Sequence, residues 1–278
     1  MDKMQTDSNK YVVEAEHFAV GYGERTILHD ITTKIERGTV TCICGGSGCG
    51  KSTFLRATLG LVPHKGGEAR VLGENVNALE GEARSSFLSR IGFMYQNGGL
   101  INSLTILENL KIPLKAHTNL SEKVIEELVY HKLAQVQLTH AVHLLPGELS
   151  GGMLKRAGFA RAIVLEPELV LSDEPSAGLD PVTAADLDDL MVRLKKELGI
   201  SLIVVTHDLD SIRRIADRIV MLEKGYVQFD GPLKDALESD IPLVKNFFAR
   251  APSAGHAGVD SFWQSLHRQK PGTERETK

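Results

Sequence analysis

Thr39-Val40-Thr41-Cys42-Ile43-Cys44-Gly45-Gly46-Ser47-Gly48-Cys49-Gly50-Lys51-Ser52 is the stretch on which the fold turns. An apolar run, Thr39 to Cys44, stops in glycine, and Lys51 to Leu61 then reads as a helix. Residues 45–52 match the pattern Gly-x-x-x-x-Gly-Lys-Ser/Thr completely. Strand, glycine loop and helix are the context in which that pattern holds phosphate. The glycines let backbone N–H groups turn inward around phosphate oxygens, and the positive end of the helix faces the same anion. Lys51 adds a point charge at the β- and γ-phosphates, and the Ser52 hydroxyl is placed to ligate Mg²⁺. The expected nucleotide site is therefore Gly45, Gly46, Ser47, Gly48, Cys49, Gly50, Lys51, Ser52 and Thr53. Cys49 has two readings. It is an inert filler, or a thiol whose pKa the helix N-terminus lowers. The second predicts that alkylation inhibits hydrolysis and that bound ATP protects.

Downstream, Leu169-Val170-Leu171-Ser172 is an apolar run closed by Asp173-Glu174. The carboxyl end of a central strand is where an α/β sheet places its ligand chemistry. Asp173 there would hold the hydration shell of Mg²⁺, and Glu174 would act as general base on the attacking water. Read alone, the pair also fits a cap on the turn that Pro175 begins. His207 follows the strand Leu202 to Val205 and reads as a structural histidine or as a contact to the γ-phosphate. Gln96 ends another strand, Ile91 to Tyr95, where a neutral amide can touch Mg²⁺ or the lytic water.

Composition narrows the rest. The 278 residues suit one large domain or a domain with a lobe. Hydrophobic residues make up 42%, enough for a sizeable core. Aromatics at 5% leave little for base stacking, and a net charge of −4 gives no global basic field, so no nucleic-acid partner is expected. No apolar run approaches the ~20 residues that span a bilayer. The polar start Met1-Asp2-Lys3-Met4-Gln5 does not read as a signal peptide, so a cytosolic protein is expected unless a partner holds it at a membrane. Cys42, Cys44 and Cys49 suggest neither a disulfide framework nor a metal site.

Residues 1–10 are polar and expected to be loose. Val12 to Phe18 and Ile31 to Ile35 read as an N-terminal antiparallel sheet, and Glu68 to Leu72 as a further strand. From about Gly98 to Arg161 the texture is helical. Thr105 and Glu108 form a capping-box pattern, and Ser121 is placed to cap a helix over Glu122 to Gln137. Strands and helices then alternate: Val182 to Leu198 helical, Ser201 to Val205 extended, Leu209 to Ala216 helical. That implies a mainly parallel sheet covered on both faces. Arg218 to Glu223 and Tyr226 to Asp230 read as a hairpin about Lys224-Gly225, and Pro242 to Arg250 as one short helix. Residues 268–278 read as a disordered end. Phe262-Trp263 would need cover, which implies docking of the tail before them.

A further segment, Leu149-Ser150-Gly151-Gly152-Met153, heads a helix over Met153 to Ile163. Tyr22, Gly45 to Ser52, Gln96, Ser150 to Gly152, Asp173-Glu174, Asp180 and His207 fall in the order and approximate spacing of ABC-transporter ATPase subunits. The resemblance covers about residues 11–240. It implies an α/β P-loop NTPase core with a mainly parallel sheet, an N-terminal antiparallel β subdomain and an inserted helical subdomain. The domain would run over 11–238, with its helical subdomain at about 98–161 and a C-terminal extension at 239–278. Tyr22 would stack on adenine, Gln96 would form the Q-loop, Ser176 to Asp180 the D-loop, and His207 would be the switch histidine. ATP and Mg²⁺ would be bound between two such subunits in a homodimer. Each phosphate loop would then face the other subunit's Ser150-Gly151-Gly152, again a helix N-terminus suited to phosphate.

Tyr95-Gln96-Asn97-Gly98-Gly99-Leu100-Ile101-Asn102-Ser103-Leu104 and Met153 further resemble the ATPases of Mla/Mce-type lipid transporters. That likeness implies phospholipid cargo, an integral-membrane permease, a periplasmic Mce-type lipid-binding protein, a small regulatory subunit, and a place on the cytoplasmic face of the inner membrane. The permease helix is expected against Gln96 to Leu114. Two alternatives stand beside it. A small-solute importer ATPase commonly has Gln where this chain has Met153. A non-transport ABC ATPase acting on ribosomes or DNA usually carries two such units or long coiled coils.

Overall fold

The computed structural model describes residues 10–249. The expectations for residues 1–9 and for the tail from 250 onward, including the docking of Phe262 and Trp263, lie outside the described residues. The chain divides into two compact units at the Ala236/Leu237 junction.

In the first unit, β1 (Tyr11–Tyr22) and β2 (Arg25–Glu36) form the expected hairpin. They precede β3 (Val40–Gly45) and α1 (Lys51–Thr58), and then come β4 (His64–Val71), β5 (Glu74–Asn75) and α2 (Gly81–Ser89). One antiparallel sheet has the order β2-β1-β4-β5. Phe18, Val20, Leu28, Ile31 and Ile35 fill its inner face. The helix after the phosphate loop stops at Thr58, short of Leu61. Gly60, at φ +64°, turns the chain, while the Leu61 and Gly60 amides return to the carbonyls of Arg56 and Ala57 at 2.9 Å each. That closing motif satisfies the last helical carbonyls.

The second sheet takes β6 (Ile91–Met94), β7 (Leu169–Asp173), β8 (Ser201–Val205), β9 (Arg218–Glu223) and β10 (Tyr226–Pro232). Its order is β10-β9-β3-β8-β7-β6, parallel except for the edge hairpin β9–β10. Every residue of β3 and β8 is buried, which is why both read as unbroken apolar runs. Helices α6 (Pro181–Leu198) and α7 (Leu209–Ile215) belong to this layer.

Between β6 and β7 lies the helical lobe: α3 (Ile106–His117), α4 (Glu122–Gln135) and α5 (Gly151–Ala162). The Thr105 capping box forms. The Glu108 amide donates to Thr105 Oγ1 at 3.2 Å, and the Thr105 amide donates to Glu108 at 2.8 Å. Ser121 does occupy the N-cap of α4, but its exposed hydroxyl accepts no capping bond, contrary to expectation. Only its carbonyl takes part, accepting from the Ile125 amide at 3.0 Å. Ile106, Leu110, Ile125, Val129 and Leu133 are buried in the lobe. At the Ala236/Leu237 junction lies α8 (Leu233–Leu237), and the second unit contains α9 (Pro242–Ala249), with the Phe247 and Phe248 rings edge to face. Among the described residues, no helix is long and apolar enough to cross a membrane.

Candidate nucleotide site

Strand adjacency builds the site. Because β3, β8, β7 and β6 lie side by side and parallel, their carboxyl ends deliver Gly45, His207, Asp173-Glu174 and Gln96 to one edge of the sheet. Four of the expected segments, dispersed over 160 residues of sequence (roughly 45–207), are thereby brought together.

The phosphate loop is shaped by backbone it must pass. A Cβ on Gly45 would lie 2.1 Å from the Leu222 carbonyl oxygen, so no larger residue fits there. Gly50 is the N-cap of α1 at φ +107°, with no side-chain capping bond and no acidic residue in the first turn. The amides of Lys51, Ser52 and Thr53 therefore open on the loop, as a phosphate would require. Lys51 Nζ donates to the carbonyls of Gly45 and Gly46 at 3.0 and 2.9 Å. Gly46, Ser47 and Gly48 complete the turn between them.

Beside the loop, Ser52 Oγ donates to Asp173 Oδ1 at 3.2 Å. A hydroxyl and a carboxylate form a hard oxygen pair of the kind Mg²⁺ prefers, with phosphate and water completing its shell. Among the described residues there is no group of three or more His, Cys, Asp or Glu that could hold a metal ion. Glu174 Oε1 lies 2.7 Å from His207 Nδ1. Glu174 itself has φ +50°, and its amide donates to the Val205 carbonyl at 2.8 Å.

The other expected residues sit as follows. Tyr22 ends β1, half exposed, in the hairpin whose Ile27 and Leu28 border Gly50. Gln96 is exposed at the head of the lobe, and its backbone carbonyl accepts from Lys155 Nζ. Asp180 caps α6: Oδ1 accepts from the Val182 and Thr183 amides, each at 3.1 Å, and Oδ2 from the Thr183 hydroxyl at 2.5 Å. These bonds hold its carboxyl below the usual range, the Thr183 hydroxyl first. Ser150 caps α5 by accepting from the Met153 amide at 3.3 Å. Gly151 and Gly152 border Leu179 and Thr183.

Cys49 is buried, and burial raises its pKa despite Lys51 nearby. The reading of a thiol activated by the helix end is thus corrected: desolvation outweighs the positive field. Lys155 was not among the residues singled out from the sequence. A cation among the polar and apolar letters of α5 carries no signal of burial, yet it is 5% exposed.

A family model described as ABC transporter matches residues 28–177. The chain belongs to the ABC transporter ATPase family. An intermembrane phospholipid transport system ATP-binding protein, MlaF of Haemophilus influenzae, is 33% identical over 89% of this chain and 93% of that protein. Its counterpart from Escherichia coli K12 is 36% identical over 81% and 84%. A probable ribonucleotide transport ATP-binding protein, mkl of Mycobacterium bovis, is 35% identical over 84% of this chain. The chain spans 66% of that relative's length. Among solved structures, cbiO1 of Clostridium perfringens aligns with a TM-score of 0.76 at 27% identity, covering 83% of this chain and 92% of that one. A dimeric ATP-binding cassette, MJ0796, in a post-hydrolysis state with ADP and Pi aligns with a TM-score of 0.72 at 30% identity, covering 80% and 98%.

Proposed function

We propose that this ABC ATPase hydrolyses ATP as the peripheral motor of a lipid transporter, held at the cytoplasmic face of the membrane by its permease. The observation that carries the chemistry is the pairing at one sheet edge of Ser52 with Asp173 and of Glu174 with His207. Lys51 and the open end of α1 bind the phosphates, and Ser52 and Asp173, with Gln96, hold Mg²⁺. Once bound, that ion neutralises charge on the phosphate oxygens. Glu174 takes the proton of the attacking water, and His207 fixes the direction of its carboxylate. Tyr22 supports the base. Ser150, Gly151 and Gly152 act in trans on a second copy's nucleotide, a reading supported by the dimeric cassette among the similar structures. Glu174→Gln should retain ATP and accumulate an ATP-bound dimer, with turnover reduced by about 10²–10⁴-fold. Turnover near the wild-type rate would remove Glu174 as the base.

Lipid cargo is supported by the phospholipid-transport relatives, which align over most of their own length. The mycobacterial relatives carry a second reading, a small-solute transporter for ribonucleotides. Purification with the permease, followed by mass spectrometry of bound molecules, separates the two. Phospholipid in the complex supports the first. Nucleoside or nucleotide cargo without lipid overturns it. The same preparation tests for an Mce-type protein and a small regulatory subunit.

A further inference from the structure

Lys155 lies on the buried face of α5, one helical turn past Gly151. Its ammonium donates to the Gln96 carbonyl and lies 3.4 Å from the Glu174 carbonyl. These two carbonyls are neighbours for a reason. Strands β6 and β7 pair in register up to Met94 and Ser172, and beyond that point the ladder ends. Two backbone acceptors then emerge past the strand ends, where the Glu174 carbonyl also accepts from the Ala177 amide at 3.2 Å. Lys155 serves both. Burial depresses its pKa, while the nearby Glu174 charge opposes that shift. A lysine is seldom so deeply placed without a specific partner.

The consequence falls on Glu174. Its φ of +50° is uncommon for a residue with a side chain. The Val205 carbonyl holds its amide, and the Ala177 amide and Lys155 share its own carbonyl, so both flanking peptide groups are fixed. The same helix is clamped to the segment after Gln96 at two further levels. A Cβ on Gly158 would lie 2.6 Å from the Gly98 carbonyl oxygen, and Arg161 Nη1 donates to the Gly99 carbonyl at 2.7 Å. Helix α5 and residues 96–99 are thus tied at three levels.

We infer that Lys155 is a positioning residue that makes the posture of Glu174 depend on the position of the Ser150-Gly151-Gly152 end of α5. The inference rests on the proposed trans arrangement. A phosphate gripped at the head of α5 belongs to one composite site, and Glu174 belongs to the other. Lys155 thus carries news of one nucleotide to the base acting on the second, within a single chain.

The test uses the full chain in complex with its permease. Lys155→Met keeps length and removes the charge. Its kcat should fall by about 10–100-fold, as misplacement of a catalytic group does, with KM for ATP changed less than about threefold. Lys155→Arg should restore much of kcat. Ser150→Ala and Lys155→Met should combine to less than the product of their separate effects. Glu174→Gln combined with Lys155→Met should still trap an ATP-bound dimer. A kcat within about twofold of wild type for Lys155→Met, or strict multiplicativity with Ser150→Ala, overturns the inference. So does equal damage in the Arg and Met variants with KM rising in parallel, which marks a packing role. Should Lys155→Met fail to fold, Lys155→Gln is read against the same outcomes. Full turnover in Glu174→Gln alone would instead refute the underlying assignment of the base.

Discussion

Helices α1 and α6 begin a short distance from the same sheet, and each starts with amides that no helical carbonyl can satisfy. They dispose of them in opposite ways. At α1 the cap is Gly50, which offers no oxygen, and the first turn holds no acid. At α6 the cap is Asp180, whose carboxylate takes two amides and a hydroxyl. Helix α5 falls between them, with the neutral hydroxyl of Ser150 on one amide. A helix end that is to receive an outside anion must not carry its own. The fill at each end distinguishes an end open to an outside anion from one already occupied, and the neutral cap of α5 fits the phosphate contact proposed for it.

The most forceful way to break this contrast is to give α1 a carboxylate. Ser52→Asp places a negative charge among the open amides and beside Asp173. ATP affinity should fall at least about 100-fold, measured by equilibrium binding, because the anion and the new carboxylate compete for one field. Retained affinity would show that the open end is not what holds phosphate.

A second test sits inside α6. Asp188 is almost fully buried, and burial raises its carboxyl pKa to about 6, with Asp208 adding to the shift and Ser211 opposing it. The folded state thus binds a proton more tightly than the unfolded chain. Stability from this group is complete below the ordinary carboxylate pKa and is lost as pH rises toward and through 6. The melting temperature of the wild type should decline over that window. Asp188→Asn should flatten the profile and gain on the order of 1–3 kcal/mol at neutral pH. An unchanged slope would show that Asp188 does not titrate there.

The smallest effect is expected at the filled terminus. Asp180→Ala removes the α6 cap and should cost about 1 kcal/mol in denaturant unfolding. If the bound carboxylate is only a cap, KM for ATP stays put. A large rise in KM would support Asp180 as part of the nucleotide site and blur the distinction between the two helices.

Much of this was readable in the residues. Ser201 to Val205 is extended as expected, because a wholly buried parallel strand is a continuous apolar run. The Thr105 box formed because both of its partners are three residues apart. What depended on distant neighbours was not readable. Helix α2 buries only Phe87 and so lacks an apolar period. Gln96 was read for its amide, yet the bond the structure makes to it is at its carbonyl. Cys49 illustrates two opposed fields, and only its depth decides between them. Lys155 bonds two carbonyls just past the ends of different strands, which no local pattern encodes.

The meeting of Gly98 and Gly158 bears on how such a chain can vary. Backbone lies against backbone there, and a Cβ on Gly158 would sit 2.7 Å from the Gly98 Cα. Most mutations in a core can be forgiven by trimming a neighbour. A side chain at Gly158 would meet only the backbone of Gly98, so there is no neighbouring side chain to trim. In a saturation library, tolerance should drop to glycine alone at position 158, while the exposed turns of α5 drift freely. Mutational history would then leave its narrowest bottleneck at a contact between two stretches of backbone.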